Sequence, residues 1–333
     1  MHPDLTKALA VLLDGVSRKE LAAAAQKLSA GYRRGATSQA ILTPVDAAAY
    51  AVARMPATTA ACAAVFARLA GAMPGFTPAS LLDVGAGTGA ASWAAIGQWA
   101  GITSVTMLDH NPALRALARK LADSGALAAA EILSGDLRVE RRISNLEKGA
   151  DLVVASYVLA ELPEEKAAAT AVDLWQSAGF ALALIEPGTP DGFARIRSAR
   201  AALIAAGAHV AAPCTHDALC PVTGRSARAS GSDQQKDWCH FSQRLPRSRD
   251  HMLLKDASVP FEDERYSYVA VTREKVSSGA RIHDSRILAP PLETKPGLTF
   301  KLCDEDGLRA QFVAARDKDA YRRVRKRGWG DLF

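Results

Sequence analysis

SLLDVGAGTGAASWAA, residues 80–95, is a short apolar strand that runs into three spaced glycines and emerges as a helix. Gly85, Gly87 and Gly89 let the backbone approach a ligand closely, and the third allows tight packing of helix on strand. The same alternation continues toward the C-terminus. SVTMLDH (104–110), AEILSGD (130–136), DLVVASYVLAEL (151–162) and FALALIEPG (180–188) read as further buried strands. Between and after them lie the helical stretches ASWAAIGQWA (91–100), NPALRALARKLADS (111–124) and GFARIRSARAALIAAG (192–207). Strands separated by helices of this length predict an α/β fold with a parallel, doubly wound sheet. Toward the N-terminus, residues 1–79 read as a helical region. Leu5, Leu9, Leu12, Leu13 and Val16 recur at helical spacing, Ser17 with Glu20 makes a capping box, and Thr43–Pro44 opens a third helix. After His209 regularity falls away until the alternating strand YSYVAVTR (266–273). LTFKLCDEDG and AQFVAAR then form a closing hairpin with its turn at Asp304–Gly307.

The chain has 333 residues, 49% hydrophobic and 23% charged, enough to bury a sizeable core and unlike a disordered composition. No apolar run reads as long enough to span a membrane, and the N-terminal stretch does not read as a signal or transit peptide. Five cysteines, an odd number, do not suit a secreted disulfide framework, so a reducing cytoplasm is the expected compartment. The net charge is +6, with positive charge gathered in the first 80 residues and the last third, above all in KDAYRRVRKRGWGD (318–331). Such a distribution suits a phosphate-backbone partner such as RNA; a solvated helix face accounts equally for the run Arg322 to Arg327.

The glycines alone do not choose a cofactor, because DVGAGTGA (83–90) also satisfies the relaxed dinucleotide pattern. Three acidic residues do better. Asp83 stands in the mouth of the loop, where it would repel a pyrophosphate but tolerate the cationic amino-acid end of S-adenosylmethionine (SAM). Asp109, ending the second strand, is placed to accept hydrogen bonds from ribose hydroxyls, and Asp136, ending the third, sits toward the adenine edge. The stretch 80–190 resembles the class I SAM-dependent methyltransferases. The Asn/Asp-Pro-Pro-Tyr/Phe motif that holds the acceptor amine in many nucleic-acid methyltransferases is missing. The matching stretch reads ASYVLAELP (155–163), with Tyr157 and Glu161 as its polar groups and no cysteine nucleophile. The sequence names no catalytic residue.

Four cysteines carry the second signal. Cys214, Cys220, Cys239 and Cys303 are spaced C-x5-C-x18-C-x63-C, in the segments PCTHDALCP, DWCHFSQR and LTFKLCDEDG. This lacks the paired C-x2-C knuckles of a zinc ribbon, while isolated thiolates from separate loops suit a cubane cluster; spacing alone leaves zinc and iron–sulfur even. His216 and His240 flank cysteines and would serve as zinc ligands or as donors to cluster sulfurs. Cys62, in an alanine-rich helix, reads as a core residue.

RMPAT (54–58), LLDVGAGTGAASWAA (81–95), PCTHDALCP (213–221), WCHFSQRLPR (238–247), FEDERYSYVAVTR (261–273) and RGWGD (327–331) follow in this order. Together they resemble the small-ribosomal-subunit methyltransferase-like family, found in bacteria and as a mitochondrial ribosomal-subunit protein. The resemblance implies a four-iron (4Fe–4S) cluster on Cys214, Cys220, Cys239 and Cys303, with zinc as the alternative. It also implies association with the small ribosomal subunit and its rRNA, as a protein monomeric off the ribosome with no membrane partner. The implied organisation is a helical region (1–79), a SAM-binding Rossmann-like core (80–208) and a cysteine-rich lobe with closing strands and a basic tail (209–333). Methyl transfer, or ribosome assembly without catalysis, are both compatible with that family. Thr215 departs from the family's usual proline, and the Gly/Ser/Arg-rich stretch TGRSARASGSDQQKD (223–237) is expected to form a flexible, basic loop able to touch RNA. Arg244, Arg247 and Arg249 are expected beside the cysteine lobe.

Overall fold

Every apolar run of the central region becomes a strand of one sheet. The structure, a computed structural model, describes residues 1–34, 37–123, 125–137, 149–222, 237–276 and 284–333. β1 (Ser80–Val84), β2 (Ser104–Asp109), β3 (Glu131–Ser134), β4 (Ala150–Ser156) and β5 (Ala178–Pro187) lie parallel in the order β3-β2-β1-β4-β5. The order reverses between β1 and β4, and a crevice opens outside the C-terminal strand ends at such a switch point. The α/β, doubly wound expectation therefore holds, and the fold is that of a Rossmann-like methyltransferase core.

Strand alternation divides the core into two layers. Leu81, Val105 and Met107 face one side with Trp93 of α5 (Ala90–Gln98) and Leu114 and Leu117 of α6 (Pro112–Ala122). Leu82, Val84 and Val153 face the other with Trp175 of α7 (Ala167–Gln176) and Ile196 and Leu203 of α8 (Pro190–Ala205). Trp93 and Trp175 are almost wholly buried, and a side chain of that size stabilises by about 2–3 kcal/mol on leaving water.

The N-terminal region is helical as expected, with α1 (Pro3–Leu13), α2 (Arg18–Arg33), α3 (Pro44–Ala53) and α4 (Met55–Ala72). The third helix and the alanine-rich helix around Cys62 of the sequence reading are α3 and α4. Pro56 cannot donate to the preceding turn, so α3 stops at Arg54 and α4 starts with its proline in the first turn. α4 also corrects the expectation about apolar runs: by length and composition it is apolar enough to cross a membrane. Its Cys62, Val65, Phe66 and Leu69 are instead fully buried in the core.

The sheet does not end at residue 208. The 12-residue strand β8 (Phe261–Thr272) pairs antiparallel with β5, and its other edge carries two short strands end to end. β6 (His209–Ala212) pairs with Ala270–Thr272, and β7 (Phe241–Pro246) pairs with Phe261–Tyr266. Between β7 and β8 lies α9 (Arg249–Leu254), latched by Glu262, which faces His251 Nε2 at 3.1 Å, Lys255 Nζ at 2.6 Å and Arg247 Nε at 3.4 Å. Burial opposes ionisation of Glu262, yet the hydrogen bonds from His251 and Lys255 prevail and hold it down to about 2.

A second, four-stranded sheet closes the chain, with β9 (Arg286–Ile287), β10 (Leu292–Thr294), β11 (Gly297–Asp304) and β12 (Gly307–Ala314). The predicted hairpin is β11–β12, and Asp304 pairs with Gly307 at its turn. One face buries Ile287, Leu298, Phe300, Leu302 and Val313 against α10 (Lys318–Val324) and Phe333. The stretch 223–236, with most of the expected basic loop, lies outside the described residues.

Candidate cofactor cleft and four-cysteine centre

A solvent-open cleft of about 630 Å³, counting the solvent space at its mouth, lies over the C-terminal ends of β1 to β4. Gly85, Gly87, Asp109, Gly135, Asp136, Tyr157 and Glu161 line it with the apolar Leu114, Leu137, Val158 and Leu162. Gly85 sits at φ +68°, and a Cβ there would meet Val158 Cγ2 at 2.2 Å. Gly87, at φ +56°, has only Leu114 Cδ1 near that direction, 3.9 Å away, so its missing side chain leaves the cradle open.

Asp109 is fixed at the end of β2. Its Oδ2 accepts the Gly87 N–H at 2.8 Å and its Oδ1 accepts the Asn111 N–H at 2.7 Å. These bonds hold the carboxylate rigidly on the cleft wall with lone pairs left for hydroxyl donors. Asp136 also lines the cleft. Asp83 does not. Period-two alternation turns its side chain toward the Leu81 layer, where it is fully buried and accepts from Ser92 N at 3.0 Å and Ser92 Oγ at 2.7 Å. Burial pushes its carboxyl up to about 7. The expectation that Asp83 stands in the mouth of the loop is thus corrected by strand geometry.

The cleft mouth is strapped by the segment between α2 and α3. Ser38 donates its N–H to Glu161 Oε1 at 3.0 Å and its Oγ to Oε2 at 2.7 Å. Asn111 Nδ2 donates to the Ser38 and Ile41 carbonyls at 2.9 and 3.0 Å. Glu161 therefore serves the strap. The turn carrying it is anchored by buried Glu186 at the end of β5, which accepts from Leu159 N and Ala160 N at 2.8 and 3.0 Å. Burial lifts that carboxyl to about 8.

Past Gly85 the cleft continues into a smaller recess lined by Tyr50, Met55, Thr58, Ser156 and Tyr157. Tyr157 holds a left-handed backbone at φ +62°, a strained conformation for a tyrosine. Its hydroxyl donates to Glu264 Oε1 at 2.7 Å, and Arg54 Nη2 reaches the same oxygen at 3.2 Å. Sequence reading singled out Tyr157 but missed Glu264 and Glu186. Arg54 and Glu264 stand 210 positions apart, within RMPAT and FEDERYSYVAVTR, so the two quoted segments that hold them were the available signal.

The cysteines come from four places in the chain. Cys214 follows β6 and Cys239 precedes β7, so both arrive where those strands abut along β8; Ser267 Oγ donates to the Cys239 carbonyl at 2.8 Å. Cys220 follows in the loop after Cys214, and Cys303 comes across from β11. Burial raises the Cys239 thiol well above its ordinary range, and so does the proximity of Cys214, Cys220 and Cys303. Cys303 is pushed up to about 12 by burial and by Cys214 and Cys220, and Cys220 is raised by burial and Cys214. Every pair of the four thiols is thus close enough to interact. Among the described residues, no group of three or more His, Cys, Asp or Glu side chains is arranged to hold a single metal ion. Cys62 is remote in role, a buried core thiol as expected. His240 Nδ1 lies 3.1 Å from the Trp238 carbonyl, and its ring stacks on Trp238 with centroids 5.0 Å apart. Arg244 is spent on Asp263 at 2.8 Å and Arg247 on Glu262.

The open glycine cradle and the aligned Asp109 suit a ribose-bearing ligand. Four cysteines supply the soft donor type that iron–sulfur groups and zinc take, though their arrangement is not that of a single-ion site.

A family described as mitochondrial small ribosomal subunit Rsm22 matches residues 44–333. The chain belongs to the Rsm22 family. Among curated Rsm22-like relatives, the human mitochondrial ribosome assembly protein METTL17 is 28% identical over 299 residues, 85% of this chain and 61% of that protein. The Rsm22-cox11 tandem protein 2, mitochondrial, of Schizosaccharomyces pombe is 28% identical over 293 residues, 76% of this chain and 38% of its own length. The chain thus spans under two thirds of either relative. The expected cytoplasmic compartment is corrected by these matches: both relatives are mitochondrial proteins, and they point to the mitochondrion. Among solved structures, magnesium protoporphyrin IX methyltransferase from Synechocystis PCC 6803 with bound SAM overlaps 66% of this Rsm22 chain and 80% of its own, at 16% identity and a TM-score of 0.39. The fold assignment rests on strand order and register.

Proposed function

We propose that this Rsm22-family protein is a SAM-binding assembly factor of the small ribosomal subunit, carrying a four-cysteine 4Fe–4S centre in its C-terminal lobe. The observation that carries SAM binding is the cleft at the switch point, with Gly87 open beside an Asp109 fixed by two backbone N–H groups. Asp109 would accept the ribose hydroxyls, Asp136 would stand toward the adenine edge, and Gly85, Gly87 and Gly89 would pass the amino-acid end. SAM bound there would supply an electrophilic methyl group. The ribosomal partner is supported by family membership and by the naming of METTL17 as a ribosome assembly protein. The positive run in α10 and beyond is the chain's own feature suited to rRNA.

Cys214, Cys220, Cys239 and Cys303 would hold the centre, which would staple the second sheet to the first. The family resemblance favours the iron–sulfur cluster, and zinc is the alternative for the same four ligands.

Binding without required turnover is the reading we favour, because Glu161 is committed to the strap and Tyr157 to Glu264. The recess past Gly85 supports a second reading, methyl transfer to a group lodged beside Tyr50 and Tyr157. Isothermal titration with SAM should give binding that Asp109→Ala weakens at least tenfold; equal affinities would remove the ribose assignment. Labelled SAM incubated with immature small subunits decides between the readings: binding with no label in RNA supports the assembly factor, and labelled RNA supports transfer. Anaerobic purification should yield brown protein holding iron and sulfide, whereas colourless, zinc-loaded protein would replace the cluster by zinc.

A further inference from the structure

Two arginines are buried beside the cysteine segments without an ion-paired acid among the described residues. Arg200, on α8, and Arg286, in β9, each expose only 5% of their surface. Among the described residues neither has a carboxylate within ion-pair distance; their bonds go to backbone carbonyls. Arg200 Nη2 donates to His216 O at 2.8 Å, while its Nε has no partner among the described residues. Arg286 Nε donates to Pro213 O at 2.6 Å and Nη1 to Gly330 O at 2.8 Å. A buried cation without a counter-ion is strongly destabilising, so a fold that keeps two of them has an anion in view.

The placement says which anion. Arg286 sits opposite Cys303 in the β9–β11 register and bonds the residue before Cys214. Arg200 bonds the residue two beyond Cys214. Four thiolates around either a zinc ion or an oxidised cubane core leave a net double negative charge. Two guanidiniums cancel it.

We infer that Arg200 and Arg286 are the fixed counter-charges of the four-thiolate centre, positioning residues that let a doubly negative group sit in the interior of this lobe. The inference rests on the metal reading above but is indifferent to zinc or iron. It gives the two arginines different consequences with and without metal. In the loaded protein they offset the thiolates; in the metal-free protein that offset is absent.

The test uses the full chain, loaded anaerobically with iron and sulfide or with zinc, and the same chain stripped. Arg200→Met and Arg286→Met should each release metal to a chelator roughly 10-fold faster than wild type, the usual effect of losing an outer partner. Arg200→Lys and Arg286→Lys, which keep the charge, should recover most of that retention. With an iron–sulfur centre bound, each Met variant should also shift the reduction potential to more negative values, since reduction adds a further negative charge. The melting temperature should fall in the loaded Met variants and stay level or rise in the stripped ones. Equal melting losses in loaded and stripped protein, with unchanged metal release, would overturn the inference and leave the arginines as ordinary carbonyl donors. A wild-type chain that takes up neither iron nor zinc would overturn the metal reading itself, a separate outcome.

Discussion

At the scale of single residues, Asp83 shows how a motif position acquires its role from strand geometry. It belongs to the glycine motif, yet it is buried on the side opposite the cleft wall, hydrogen-bonded to Ser92 with its Oδ1 unpartnered among the described residues. Its neighbours include Asp109, which adds to the upward push, and the protonated thiol of Cys62. The folded protein therefore holds a proton on Asp83 up to about pH 7, whereas the unfolded chain releases it near the ordinary carboxyl value of 3.8. Stability from this group is complete at acid pH and is lost as pH rises through about 7. Asp83→Asn keeps an oxygen for Ser92 and cannot ionise. It should match wild type near pH 4 and exceed it at pH 8 by on the order of 2 kcal/mol. Melting curves of the two proteins across that range check it; a loss that is the same at every pH would mean that only the Ser92 bonds matter.

Among the elements, the strap over the cleft is the piece predicted to gate ligand exit. Ser38 is held by Glu161 from one strand end and, through its carbonyl, by Asn111 from another. Ser38→Ala removes one hydroxyl-to-carboxylate bond and leaves the backbone bonds in place. A bond of about 1 kcal/mol corresponds to roughly fivefold in rate, so SAM should leave the variant about fivefold faster with little change in its association rate. Stopped-flow displacement measures this directly, and an unchanged exit rate would show that the strap does not gate the cleft. This element was not readable beforehand, because its bonds run to Asn111 and Glu161, 73 and 123 positions away. The parallel strands were readable because each is a short apolar stretch, buried in all but the edge strand β3, flanked by segments long enough to cross over. β6 and β7 were missed for the opposite reason. HVAA and FSQRLP are four and six residues long, and only pairing with β8 makes them strands. The cysteine segments were visible as chemistry, but Arg200 and Arg286 carry no local sign: one lies in an amphipathic helix and the other in a two-residue strand.

Across the whole molecule, two sheets of unequal strength share one chain. The main sheet is covered on both faces by helices and carries most of the buried apolar residues. Among the described residues the second buries Ile287, Leu298, Phe300, Leu302 and Val313 with Val324 of α10, a core too small to be robust alone. It is tied to the first by Arg286 to Pro213, by Arg68 Nη2 to Asp331 at 2.8 Å, and by the proposed centre that joins Cys303 to Cys214, Cys220 and Cys239. Cys303 is the one of the four proposed ligands that comes from the second sheet, so loss of the proposed centre would remove one of these ties. The melting of the lobe should then be separable from that of the core. Hydrogen exchange on loaded and stripped protein should show protection in β9, β10, β11 and β12 falling by tenfold or more, on the order of 1.4 kcal/mol of local stability, while β1, β4 and β5 stay unchanged. Cys303→Ser should reproduce that pattern without any chelator, because it severs the same tie from the other end. Uniform loss of protection across both sheets would instead mean that the centre supports the entire fold, and unchanged exchange in β9 to β12 would mean that Arg286 and Asp331 hold the lobe by themselves.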